Sequence, residues 1–204
     1  MYRLRAKVAI DDGLTNEVYA VIGRGAAAAA SRIDRGLAFA DPRIAALGAR
    51  LLIEPGERAA LEAAGLRQGS RADYDALRIG LGVPDGSRDL IAEKSFLLEN
   101  GFEALEGVDF EKGCYVGQEV TARMKHRNLV RKRLVPVHID GPAPAPGTAV
   151  HRGAVEVGEI RSTAGDLGLA LLRLDAIEAA DEAAAPLQAG PSGLTVRKPD
   201  WADF

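Results

Sequence analysis

From Leu129 onward the chain breaks into short apolar runs closed by glycine or proline. LVRKRLVPVHID (129–140) reads as a strand and GPAPAPG (141–147) as a loop. TAVHRGAVEVGEIRS (148–162), LGLALLRL (167–174) and GLTVRKP (193–199) read as further β segments. Glycines at 147, 153, 158, 165 and 168 punctuate them. Many short strands separated by glycine turns leave few architectures, a small barrel or a sandwich. The intervening DAIEAADEAAAPLQAG (175–190) reads as a polar, alanine-rich connection.

Before that point strands and helices interleave. Leu4, Ala6, Val8 and Ile10 alternate with Arg3, Arg5 and Lys7, the period of a half-buried strand. DDGLTN (11–16) is a turn and EVYAVIG (17–23) the next strand, so a hairpin is expected. GLAFADPR and ARLLIEPG suggest two more strands, and GERAALEAAG a short helix ended by Gly65. The alanine run Ala26–Ala30 fits a helix or loop and carries no chemistry. Ser70 with Asp73 forms an N-cap signal that opens a helix over RADYDALRIGLG (71–82). Gln118–Asn128 reads as a helix with Val120 and Met124 on one face. Glu119 and Arg123 form an acid-first pair one turn apart on it. We therefore expect an α+β chain: an α/β part over residues 1–128 and a small β-barrel over 129–204.

One cysteine among 204 residues rules out an intrachain disulfide and a four-cysteine metal or cluster site. No stretch approaches the roughly 18 apolar residues of a membrane span, and MYRLRAKVAI lacks the continuous apolar block of a signal peptide. These features suggest a cytoplasmic protein. His138 and His151 fall on predicted strands without partners at metal-ligand spacing, so no metal is expected.

The cysteine, Cys114, sits between Gly113 and Gly117, just ahead of the helix beginning at Gln118. Glycine lets the backbone take positive φ or approach a ligand. The helix N-terminus and the cations Lys112, Arg123, Lys125, His126, Arg127, Arg131, Lys132 and Arg133 favour the thiolate. The other reading is a buried, inert cysteine beside a solvated basic helix. The basic run itself fits an anion such as a polyglutamate tail, a phosphate or RNA, or a plain solvated face.

KGCYVGQE (112–119) closely resembles the signature of the YgfZ family, folate-binding proteins related to the T protein of the glycine cleavage system. YRLRAKVAI, LRIGLGVPDG, PGTAVHRGAVEVGEIRS and LGLALLRL resemble other family segments, so the likeness covers essentially the whole chain. It implies a GcvT-like fold: a folate-binding α/β part of ferredoxin-like character, then a β-barrel. It implies an accessory role in iron–sulfur cluster assembly or repair rather than an enzyme, with tetrahydrofolate as ligand and iron–sulfur apo-proteins or assembly factors as partners. Cys114 matches the family's functional cysteine, framed by Lys112, Gly113, Tyr115, Gly117, Gln118 and Glu119. Glu99 falls where relatives place a pterin-recognising carboxylate, although Leu97 stands where they have proline. A surface glutamate is the other reading. Arg123 is assigned with Glu99 to the ligand. Two alternatives follow from the same likeness and the basic run: a folate-dependent aminomethyl transferase, and a tRNA-binding or tRNA-modification factor. Family members carry another folded segment before the strand matching YRLRAKVAI. This chain is expected to lack it, which argues against aminomethyl transfer and for weak or absent folate binding by this chain alone.

Overall fold

The structure is a computed structural model that describes Lys7, residues 15–179 and residues 186–202. The first strand of the expected hairpin lies outside the described residues apart from Lys7. By packing, the chain forms two compact units: residues 1–41 with 48–68, and residues 42–47 with 69–204.

The first unit holds β1 (Glu17–Val21), α1 (Ala26–Ala30), β2 (Leu37–Ala40), β3 (Ala49–Ile53) and α2 (Arg58–Ala63). Its described strands form an antiparallel sheet in the order β1-β3-β2. Alternation along β3 turns Ala49, Leu51 and Ile53 inward, against Val21, Ala26, Ala30 and Leu61. The alanine run thus packs as a small-residue helix on the sheet. Gly48 (φ +79°) has no room for a side chain, because a Cβ would lie 2.1 Å from the Val21 carbonyl oxygen. On the opposite face Val18 and Leu37 flank Leu52 in register and stand exposed.

The second unit is built on a closed antiparallel barrel. Its strands are β4 (Lys132–Asp140), β5 (Ala149–Arg152), β6 (Val155–Ala164), β7 (Leu167–Arg173), β8 (Leu187–Ala189) and β9 (Ser192–Val196). They run around the barrel in the order β4-β7-β6-β5-β8-β9, and β9 returns to β4 with Val137 opposite Val196. Val135, Val137, Ile139, Val150, Ile160, Leu172 and Leu194 fill the interior. Closure removes the free edges that an open sheet of this size would expose. The run expected to be a plain connection contributes β8 and a short helix, α5 (Leu174–Glu178).

Two further helices belong to this unit, α3 (Arg71–Gly80) and α4 (Gln118–His126). Ile79 of α3 packs with Leu134, Leu169 and Leu171 on the outside of the barrel. Next to it Arg78 is fully buried. Its guanidinium donates to Asp89 Oδ2 (2.6 Å), the Val83 carbonyl (3.2 Å) and Ser162 Oγ (3.3 Å), and the Ser162 hydroxyl donates to the other Asp89 oxygen. Ser162 follows the register shift between Ile160 and Ser162 in β6, the kind of irregularity that re-aims a side chain. Through this packing residues 69–128 group with the barrel in one compact unit.

Candidate functional site

The loop before α4 is folded by its own side chains. Asp109 Oδ1 accepts from the backbone N–H groups of Glu111 (2.8 Å) and Lys112 (3.2 Å), which turns the chain. Lys112 Nζ lies 5.6 Å from the centre of the Tyr115 ring, and the Tyr115 hydroxyl is buried with no hydrogen-bond partner among the described residues. Cys114 between them is exposed. Gly117 is the N-cap of α4 at φ 85°, a left-handed conformation that suits glycine, with open space where a side chain would stand. The expected placement of Cys114 just ahead of a helix is therefore what the structure contains, and the thiol meets solvent rather than a core.

Helix α4 is anchored by Thr121 and Met124; Met124 packs with Leu98 and Val130, with Phe110 beside them. Val120, one turn before Met124, is 50% exposed, so of that pair only Met124 is buried. Val116 is fully exposed and Leu129 partly so. Glu119 and Arg123 pair as expected. Lys125 pairs with Glu103 and lies 4.5 Å from the Phe110 ring centre. The helix ends at Asn128, which takes φ 48°. The Asn128 N–H donates to Lys125 O (3.1 Å) and the Leu129 N–H to Met124 O (2.9 Å), a Schellman closure.

Glu99 lies in a 3-10 turn, Leu98–Asn100, and is half-buried. Burial pushes its carboxyl above the usual carboxylate range, against the opposing pull of the charges on Lys132, Arg133 and Arg161 and of a hydrogen bond from the Lys132 N–H. Arg123 is paired with Glu119 one turn before it on α4. The residues gathered at Glu99 come instead from β4 and from the irregular stretch of β6. No local spacing announces them, because the barrel brings them together. A separate cleft of about 340 Å³ opens among Gly101, Glu103, Lys125, Arg133 and Trp201, and neither Cys114 nor Glu99 lines it. Among the described residues no three His, Cys, Asp or Glu side chains come together as a metal site. No described helix is long and apolar enough to cross a membrane.

Residues 131–204 match the model of the CAF17 C-terminal beta-barrel domain, in agreement with the closed barrel. The chain is 38% identical over 212 residues to the human protein named iron–sulfur cluster assembly factor IBA57, mitochondrial, an alignment covering 98% of this chain and 59% of that protein. Its mouse counterpart is 34% identical over 220 residues with the same coverages. A Neurospora crassa homologue of the same name is 39% identical over 112 residues, covering 52% of this chain and 25% of that protein. This chain thus spans 59% of the length of the human and mouse relatives. The relatives carry the IBA57 name, a narrower likeness than the YgfZ label drawn from KGCYVGQE. The expectation of a cytoplasmic protein is overturned, since these relatives are named as mitochondrial. Composition and a low cysteine count do not separate one reducing compartment from another. The chain carries a CAF17-type C-terminal β-barrel and is similar, over nearly all of its own length, to the IBA57 iron–sulfur cluster assembly factors.

Proposed function

We propose that this chain is an accessory factor in iron–sulfur cluster assembly or repair and that Cys114 is its working group. The observation that carries the reading is the presentation of the thiol: the one cysteine of the chain is exposed, on a loop ended by a left-handed glycine at a helix N-terminus. The names of the relatives support the process. Cys114 takes up iron or a cluster as cargo, losing its proton as the metal–sulfur bond forms, or accepts sulfane sulfur from a partner persulfide whose thiolate leaves. With a single cysteine, the remaining ligands of any cluster come from a partner protein or small thiols. Tetrahydrofolate, a one-carbon carrier, is the ligand proposed at Glu99. A carboxylate there suits the donor edge of an aminopyrimidine, and the cations around it suit a ligand that bears carboxylates of its own.

The test is replacement. Cys114→Ser removes little volume from an exposed site, so its melting temperature is expected to match the parent chain. It is expected to abolish rescue of iron–sulfur enzyme activity in cells that lack the protein. Full rescue by Cys114→Ser would defeat the reading. Calorimetry with tetrahydrofolate tests the ligand separately, and equal binding by the parent chain and Glu99→Gln would remove Glu99 from that role.

A further inference from the structure

Val120, Arg123 and Arg127 follow one another at spacings of three and four along α4 and so lie on one side of it. These three are exposed, while Thr121 and Met124 beside them are buried. Val116 stands in the loop just before α4, two residues ahead of Gln118. Val116 is fully exposed, Val120 50% and Leu129 40%. The charge around the exposed aliphatic side chains is mostly positive. Residues 111–132 hold six Lys and Arg against two Glu, in a chain whose net charge is -3. Lys112, Arg123, Arg127, Arg131 and Lys132 are all exposed.

An apolar centre with a cationic surround is the anatomy of a protein-binding patch, and its charge selects a partner of the opposite sign. A nucleic acid would use the cations but gain nothing from Val116 and Val120. A single strand would also want an aromatic face to stack on, and Tyr115 is half-buried with Lys112 close to its ring.

We infer that the outward side of α4 and its leading loop dock an acidic protein. An apolar patch of that partner covers Val116 and Val120, and its carboxylates meet Lys112, Arg123 and Arg127. The inference rests on the reading of Cys114 above, because docking here sets the partner against the thiol.

The experiment places a benzophenone side chain at Val120 of the full chain in cells. The control position is Val155 on β6, a valine exposed to a similar degree at 56%. A protein cross-linked from position 120 and not from 155 is identified, purified and titrated against the chain. It is expected to be acidic, and its binding to weaken with salt. Val120→Asp, and Arg123→Glu with Arg127→Glu, are each expected to weaken binding by about tenfold or more. Cys114→Ser is expected to bind it as tightly as the parent chain. No cross-link above the control, a cross-link to RNA, or binding unmoved by the charge reversals would overturn the docking surface. Docking that survives while Cys114→Ser still supports cluster transfer would instead overturn the thiol reading and leave the surface standing.

Discussion

Arg78 shows how much one buried charge asks of its surroundings. The side chain is 1% exposed, its partner Asp89 fully buried, and the guanidinium also donates to Asp75 Oδ1, the Val83 carbonyl and Ser162 Oγ. Arg78→Met strands the Asp89 carboxylate without a countercharge. It is expected to cost about 3–5 kcal/mol in urea unfolding, and joint replacement with Asp89→Leu to recover much of that loss. Glu99 carries the opposite lesson. Its carboxyl lies above the ordinary glutamate value of 4.5, chiefly through burial, so folding favours the protonated form. That contribution is present below the ordinary value and is lost as pH rises through the higher folded value. Glu99→Gln is therefore expected to raise the melting temperature at pH 7 and leave it nearly unchanged at about pH 3.5. Equal shifts at both pH values would contradict this account. Glu99 was legible as a candidate through the family likeness. Its neighbours Arg133 and Arg161 were not, since each reads locally as one more charge on a strand.

At the scale of elements, what is local was readable and what is tertiary was not. The start of α3 is local. Ser70 Oγ accepts from the Asp73 N–H (3.2 Å) and Asp73 Oδ2 accepts from the Ser70 N–H (2.7 Å), a reciprocal cap. The Ser70 N–H also holds the Asp73 carboxyl below its ordinary value. Ser70→Ala is expected to cost about 1 kcal/mol in chemical denaturation, and Ser70→Asn close to nothing. The buried side of α4 was misread. Positions 120 and 124 are neighbours on any helix, and only the location of Leu98, Val130 and Phe110 decides that Met124 and Thr121 turn inward. β8 was missed for a similar reason. Three residues carry almost no periodicity, and Leu187–Ala189 is a strand because β5 and β9 lie on either side of it.

For the molecule as a whole, glycine punctuation made the barrel legible, while the packing of residues 69–128 with it is tertiary. A change of sequence character at Leu129 marks where strands begin, not where packing stops, and Ile79 crosses that line to join Leu134 and Leu169. The same unit contains an acid-sensitive cluster: Arg88 donates to both Asp75 oxygens and reaches Asp85. Hydrogen bonds from Arg88 above all hold Asp75 down to about 2, from an ordinary 3.8. A depressed carboxylate stabilises above its unfolded value and loses that contribution as pH falls through the folded one. Unfolding between about pH 4 and pH 2 is thus expected to be less steep in Asp75→Asn, followed by circular dichroism; an unchanged acid transition would place the sensitivity elsewhere.

The seam of the barrel lies between β4 and β9, its first and last strands in chain order. On a ribosome, residues 132–140 emerge early and must wait for residues 192–196 before the cylinder can shut, and such distant pairing is slow. A message cut short between β4 and Ser192 leaves β4 with a bare flank, so its product is a sticky open sheet rather than a shorter working protein.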